Sequence, residues 1–131
     1  RAMAFTRTAA GLCIANLHAT NDRPRLAAED VTLAAERATE WATGAPLLFG
    51  GDLNLRPAED PEVFARLNER FGLSGETGPR AIDHLLSRGL QVSARARAME
   101  ADGRELRREG GVVRLSDHAP VQAGFSTSPS Q

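Results

Sequence analysis

Apolar and polar positions follow two different periods along the chain. Gly11 to His18 has an apolar middle and ends on Asn16-Leu-His18, as a strand would. Arg1 to Phe5 reads as a shorter strand, and Thr6 to Gly11 as a hairpin connection with Gly11 able to take a positive φ. The polar stretch Ala19 to Arg25 is a loop. Ala27, Val31, Ala34, Ala38 and Trp41 then recur at helical spacing, which predicts a helix over Leu26 to Thr43. Glu29, Glu36, Arg37 and Glu40 form its wet side, Trp41 continues the core stripe, and Gly44 is the expected C-cap. Pro46-Leu-Leu-Phe-Gly-Gly-Asp-Leu-Asn-Leu-Arg-Pro57 follows as a buried strand ending in two glycines that allow a tight turn.

A second helix is expected over Pro61 to Phe71, with Asp60 as N-cap, Val63, Phe64, Leu67 and Phe71 facing the core, and Gly72 at its end. Leu73 to Pro79 is a loop, and Ala81 to Leu86 a strand. From Gln91 to Met99, Val92, Ala94, Ala96 and Ala98 alternate with Ser93, Arg95 and Arg97, the pattern of a half-exposed strand. Glu100 to Gly111 reads as a charged, solvated connection, with Arg104, Arg107 and Arg108 as an alternative phosphate-contacting rim. Val112 to Leu115 leads into Ser116-Asp-His-Ala-Pro-Val121; a last strand runs to Phe125, and 126–131 reads as a disordered tail. The order β-β-α-β-α-β-β-β predicts an α+β domain whose mixed sheet carries both helices on one face.

A length of 131 residues allows one domain, and a formal net charge of −1 advertises neither nucleic-acid nor membrane binding. Every basic residue is Arg. The single Cys13 has no internal disulfide partner and sits in an apolar run, as a small buried hydrophobe would. No stretch reaches membrane-spanning length, and none resembles a signal peptide.

Polar residues that normally avoid cores sit at four strand ends: His18; Asp52 and Asn54; Asp83; Asp117 and His118. Asp52 and Asn54 are two apart, so an extended backbone points both the same way, toward a shared ion or phosphate or into a simple polar turn. His18 alone reads equally as a strand-end histidine bonded to backbone. Asp83 shares a face with apolar neighbours and needs a partner there. Oxygen ligands suit Mg²⁺, while zinc spacing, a phosphate loop with Lys and a G-x-S-x-G elbow are all missing from the sequence. The remaining chemistry is metal-assisted hydrolysis of a phosphate ester.

Asn16-Leu-His18, Gly51-Asp-Leu-Asn54, Ile82-Asp-His-Leu-Leu86 and Ser116-Asp-His118 with Pro120-Val121 together resemble successive motifs of the endonuclease/exonuclease/phosphatase superfamily, which includes deoxyribonuclease I. The resemblance covers residues 16 to 121, and implies that residues 1–125 correspond to the C-terminal half of that domain. It implies one half of a four-layer α/β/β/α sandwich. It also implies site roles. Asp52 would orient or deprotonate the attacking water. Asn54 would hold the scissile phosphate or its metal. Asp83 would pair with His118, which would contact the phosphate. His18 would match a proposed general acid. Asp117, with Asp52 and Asn54, would hold Mg²⁺ or Mn²⁺. His84, where many members carry Tyr, alternates away from Asp83 and reads as structural.

The family's N-terminal half normally supplies an Asn and a metal-binding Glu that have no counterpart in this sequence. A half sandwich would leave one apolar sheet face for a missing half or for a second copy to cover. The expected activity is that of a phosphodiesterase, nuclease or phosphatase acting on nucleic acid, nucleotide, inositol phosphate or a lipid headgroup. A non-catalytic interaction or scaffold module that keeps the fold is the alternative.

Overall fold

The structure, a computed structural model, is described for residues 2–126. Its elements are β1 (Met3–Arg7), β2 (Cys13–His18), α1 (Pro24–Ala42), β3 (Leu47–Asp52), α2 (Pro61–Phe71), β4 (Asp83–Arg88), β5 (Gln91–Ala98), a 3₁₀ turn (Ala101–Arg104), β6 (Glu105–Arg108), β7 (Gly111–Arg114) and β8 (Val121–Ser126). Of the expected tail, 127–131 lies outside the described residues, and Ser126 closes β8.

The main sheet has the order β1-β2-β3-β4. Its outer pairs are antiparallel, and β2 and β3 run parallel across the α1 crossover, so the sheet is mixed as expected. One face is closed by both helices. Cys13, Ala15 and Leu17 of β2, Leu47 and Phe49 of β3 and Leu86 of β4 form a single buried cluster with Ala27, Val31 and Ala38 of α1 and Val63, Phe64 and Leu67 of α2. The small residues of α1 let its backbone lie close to the sheet, while the larger side chains of α2 fill the remaining space. On the other face Ile14, Leu48 and Leu85 are only half-buried.

Several local expectations shift. α1 begins at Pro24, and Thr43 itself takes the left-handed C-cap conformation at φ 49°, with Gly44 following. Trp41 lies half-buried at the rim of the cluster, where it packs on Phe5 at 4.9 Å between ring centroids under the Arg7 guanidinium. Asp60 occupies the N-cap position of α2, but its carboxylate accepts the Arg56 amide instead of capping the helix. β5 forms where alternation predicts it, yet nearly all of it is exposed. Among the described residues it pairs only with β8, through two register shifts. Alternation shows which side of a strand is apolar but not whether another layer covers it.

Glu100 to Gly111 is more structured than the expected solvated connection. β6 and β7 form a hairpin turning at Glu109 and Gly110, with Gly110 and the first β7 residue Gly111 both at positive φ, and with Glu105 and Arg114 paired across it at 3.0 Å. The sequence obscures this hairpin because its strands are short and exposed.

Gly50 and Gly51 lie within β3 and serve close strand approach instead of the expected tight turn. A Cβ on Gly50 would collide with the His84 carbonyl oxygen of β4; on Gly51, at φ 120°, it would meet the Leu17 carbonyl and the Asn16 side chain. Replacing Gly50 by Ala should therefore lower unfolding stability by about 1–3 kcal/mol or more. Gly78→Ala, where a Cβ meets nothing within 4 Å, should stay within about 0.5 kcal/mol. Urea denaturation of both variants checks this, and equal stabilities would show that strand approach at Gly50 is not tight.

Candidate active site

The site is built by strand register. His18 of β2 pairs with Asp52 of β3, and Asp52 pairs with Asp83 of β4, so one row crosses three strands at the sheet end. Leu17 points into the helix-side core, which sends His18 to the opposite face beside the exposed Asn16. His18 Nε2 lies 3.6 Å from Asp52 Oδ2, with the imidazole largely exposed and the carboxylate largely buried.

Asp52 is oriented by the chain that follows it. β3 ends at Asp52, and Asn54 turns into the left-handed region at φ 51°. The Asn54 amide N–H donates to Asp52 Oδ1 at 3.0 Å, leaving Oδ2 toward the histidines. The Asn54 side-chain NH₂ donates to the Ala19 carbonyl at 3.1 Å, which ties this turn to the end of β2. Asn54 thus lies beside Asp52 through a turn, and not through the extended alternation that the sequence suggests. Its neighbours Leu53 and Leu55 are fully buried and anchor the turn.

His118 comes from the loop before β8. Its Nδ1 lies 2.8 Å from Asp83 Oδ2, and its Nε2 lies 3.9 Å from Asp52 Oδ2. The Asp83 hydrogen bond, then the Asp83 charge, raise the His118 pKa above 6.5, with Asp52 and Asp117 adding and desolvation opposing. The Ser116 hydroxyl accepts the His118 backbone N–H at 3.1 Å, a local turn that the Ser-x-His spacing could have signalled. Arg104 donates to the Asp117 carbonyl at 2.7 Å, a tie between distant segments that no local pattern announces.

His84 shows the opposite environment one residue from Asp83. It is 2% exposed, accepts the Thr77 N–H at Nδ1, and donates from Nε2 to the Leu55 and Ala81 carbonyls. Burial pushes its pKa below 6.5. The reading of His84 as a structural side chain agrees with these bonds.

Asp52, Asp83 and His118 each offer a ligand atom within 4.8 Å of the others. Two carboxylates and an imidazole fit a divalent cation that accepts oxygen and nitrogen donors. Asp117 stays outside this group: its side chain is exposed, although it lines the cavity alongside His118.

No family model matches the sequence, and no curated protein does. Solved structures do match. An endonuclease/exonuclease/phosphatase family protein from Bacteroides thetaiotaomicron superposes with a TM-score of 0.67 at 16% identity, covering 89% of this chain and 49% of that one. A mannosyl-6-phosphatase from Bacteroides thetaiotaomicron VPI-5482 gives 0.67 at 19% identity, with coverages of 88% and 51%. Beta toxin from Staphylococcus aureus gives 0.58 at 12%, with coverages of 86% and 52%. The fold is that of the endonuclease/exonuclease/phosphatase family. The chain spans about half the length of these family structures.

In this family fold, the structure gathers His18, Asp52, Asn54, Asp83 and His118 at one end of the main sheet, with Asp117 adjacent. The raised pKa of His118 gives a signed expectation. Its contribution to stability should be fully present below pH 6.5 and should be lost as pH rises through the raised value. An NMR titration of the imidazole should show Asp83→Asn bringing the His118 pKa back toward 6.5. An unchanged pKa would mean that the hydrogen bond is not formed in solution.

Proposed function

We propose that this chain carries half of the active site of a divalent-metal-dependent phosphoester hydrolase, with residues 1–125 corresponding to the C-terminal half of the family domain. The observation that carries the reading is the placement of Asp52 Oδ2 between two imidazoles, 3.6 Å from His18 and 3.9 Å from His118, with Asp83 fixing the latter. No structural need of the sheet explains that arrangement, and the phosphatase among the structural neighbours supports a phosphoester as the substrate.

Each side chain has a role matched to its surroundings. Asp52, with Oδ1 committed to the Asn54 amide, orients the attacking water through Oδ2 and takes its proton. His118, kept cationic by Asp83, donates from Nε2 to a non-bridging phosphoryl oxygen as negative charge builds there. Asp83 is a positioning residue that holds Nδ1–H and fixes the ring. Asn54 steadies the scissile phosphate with its side-chain amide, at the expense of the Ala19 bond. His18 is the most exposed of the set and donates a proton to the leaving oxygen. Asp52 would hold Mg²⁺ or Mn²⁺ together with Asp83, whose ligand atoms lie within 4.8 Å of each other, while the expected ligand Asp117 lies outside that group and Asn54 beside Asp52; an ion held there would supply charge neutralisation at the phosphoryl oxygens.

The half-buried Ile14, Leu48 and Leu85 make the open sheet face the place for the other half of the domain or a second copy of this chain. Among the described residues no helix is long and apolar enough to cross a membrane.

The test is hydrolysis of an aryl phosphodiester and an aryl phosphomonoester with Mg²⁺, with Mn²⁺ and with chelator. Turnover should require metal and fall by about 10²–10⁴ in Asp52→Ala. Independently of turnover, metal at a hundredfold excess over Kd should raise unfolding stability by about 2.7 kcal/mol, and Asp52→Ala should remove that gain. Neither turnover nor metal stabilisation in a folded protein would overturn the reading and favour a scaffold that keeps the fold.

A further inference from the structure

One peptide sets the geometry of the loop before β8. Its carbonyl belongs to Asp117 and its N–H to His118. Arg104, at the end of the 3₁₀ turn, donates from Nη1 to the Asp117 carbonyl at 2.7 Å. The Ser116 hydroxyl accepts the His118 N–H at 3.1 Å. A peptide is planar, so holding both of its polar atoms fixes the plane. The plane sets the direction in which the His118 side chain leaves the backbone, and the imidazole arrives 2.8 Å from Asp83 Oδ2. Arg104 holds the approach to this peptide as well. Its own carbonyl accepts the Leu115 N–H at 2.8 Å, one bond beyond the Glu105–Arg114 pair of the β6–β7 hairpin. The backbone of Arg104 thus grips the loop at Leu115, and its side chain reaches past to Asp117. The guanidinium forms no ion pair among the described residues, and its Nε is closed to solvent without a hydrogen-bond partner. A buried N–H left without an acceptor opposes folding, so general stability does not account for this side chain.

We propose that Arg104 is a positioning residue for His118: it holds the peptide between Asp117 and His118 so that the imidazole meets Asp83 and faces the reacting phosphate. Its effect on turnover rests on the hydrolase reading; its grip on the loop does not. A guanidinium suits this task because a charge-assisted bond from a rigid planar fork is short and directional. Asp83 sets the rotation of the ring, and Arg104 sets the backbone from which the ring hangs. The arrangement also ties the hairpin to the site. β6 and β7 lie between Arg104 and Leu115 along the chain, so the placement of His118 depends on a closed hairpin base.

The deciding variant is Arg104→Met, which keeps an unbranched stem and removes both the Nη1 donor and the unpartnered Nε. Amide ¹⁵N relaxation over the whole chain reads the result. In the wild type, Ser116, Asp117 and His118 should be as ordered as the main sheet, with order parameters of about 0.85. In Arg104→Met they should fall to about 0.6 or below, while Phe49 and Leu86 stay unchanged and the unfolding midpoint does not drop. Arg104→Lys, which keeps a donor for the Asp117 carbonyl, should recover part of the order. Arg107→Met, on the exposed β6, should change nothing. Order at 116–118 that survives in Arg104→Met would overturn the proposal. So would a loss of order across the main sheet with a lower midpoint, since Arg104 would then act on stability alone. In turnover of an aryl phosphoester, Arg104→Met should lower kcat by about tenfold or more and leave KM unchanged, with partial rescue by Arg104→Lys. A raised KM at constant kcat would overturn the positioning role. A chain inert under every metal condition overturns the hydrolase reading instead, and the relaxation result still decides the role of Arg104.

Discussion

The site depends on the pairing register of β2, β3 and β4. His18, Asp52 and Asp83 stand in one row only because each strand meets its neighbour at that residue. A slip of one residue would turn all three side chains into the helix-side core and bring Leu17 out in their place. Two features hold the register. Phe49, Leu47 and Leu86 are locked into the cluster beneath the helices, and Gly50 and Gly51 let β3 approach both neighbours more closely than any side chain would permit. The packing on one face thus sets the chemistry on the other.

Histidine shows how strongly environment then decides function. His84 and His118 both approach Asp83, one as its chain neighbour and one as its hydrogen-bond partner. His84 is sealed among backbone carbonyls and the Phe64 ring, where burial disfavours the cation. His118 stands at the surface with a carboxylate at its Nδ1, which favours the cation. Only the second is favoured as a cation at the surface.

The two faces of the main sheet differ in how completely they are covered. The helix side is packed to near-complete burial, while Ile14, Leu48 and Leu85 on the other side are half-covered and β5 is almost wholly exposed. The chain also spans about half of the family structures it superposes on.

The sequence by itself determined the two helices, most of the strands and the polar residues at the strand ends. Helical spacing located both helices, strand-end polar residues picked out the row and its loop partner, and the short motifs pointed to the fold. Those signals are local, carried by residues near one another along the chain. Tertiary structure decided what depends on distant segments. The alternation of β5 could not show that its apolar side lacks a cover among the described residues, and the charges of Glu100 to Gly111 concealed a hairpin whose strands pair with each other. Asn54 reached Asp52 through a left-handed turn pinned by Ala19, a residue 35 positions away. Arg104 found the Asp117 carbonyl only once the loops had folded together. Periodicity and propensity report on the neighbourhood of a residue along the chain, whereas register, coverage and the meeting of loops are set by packing across it.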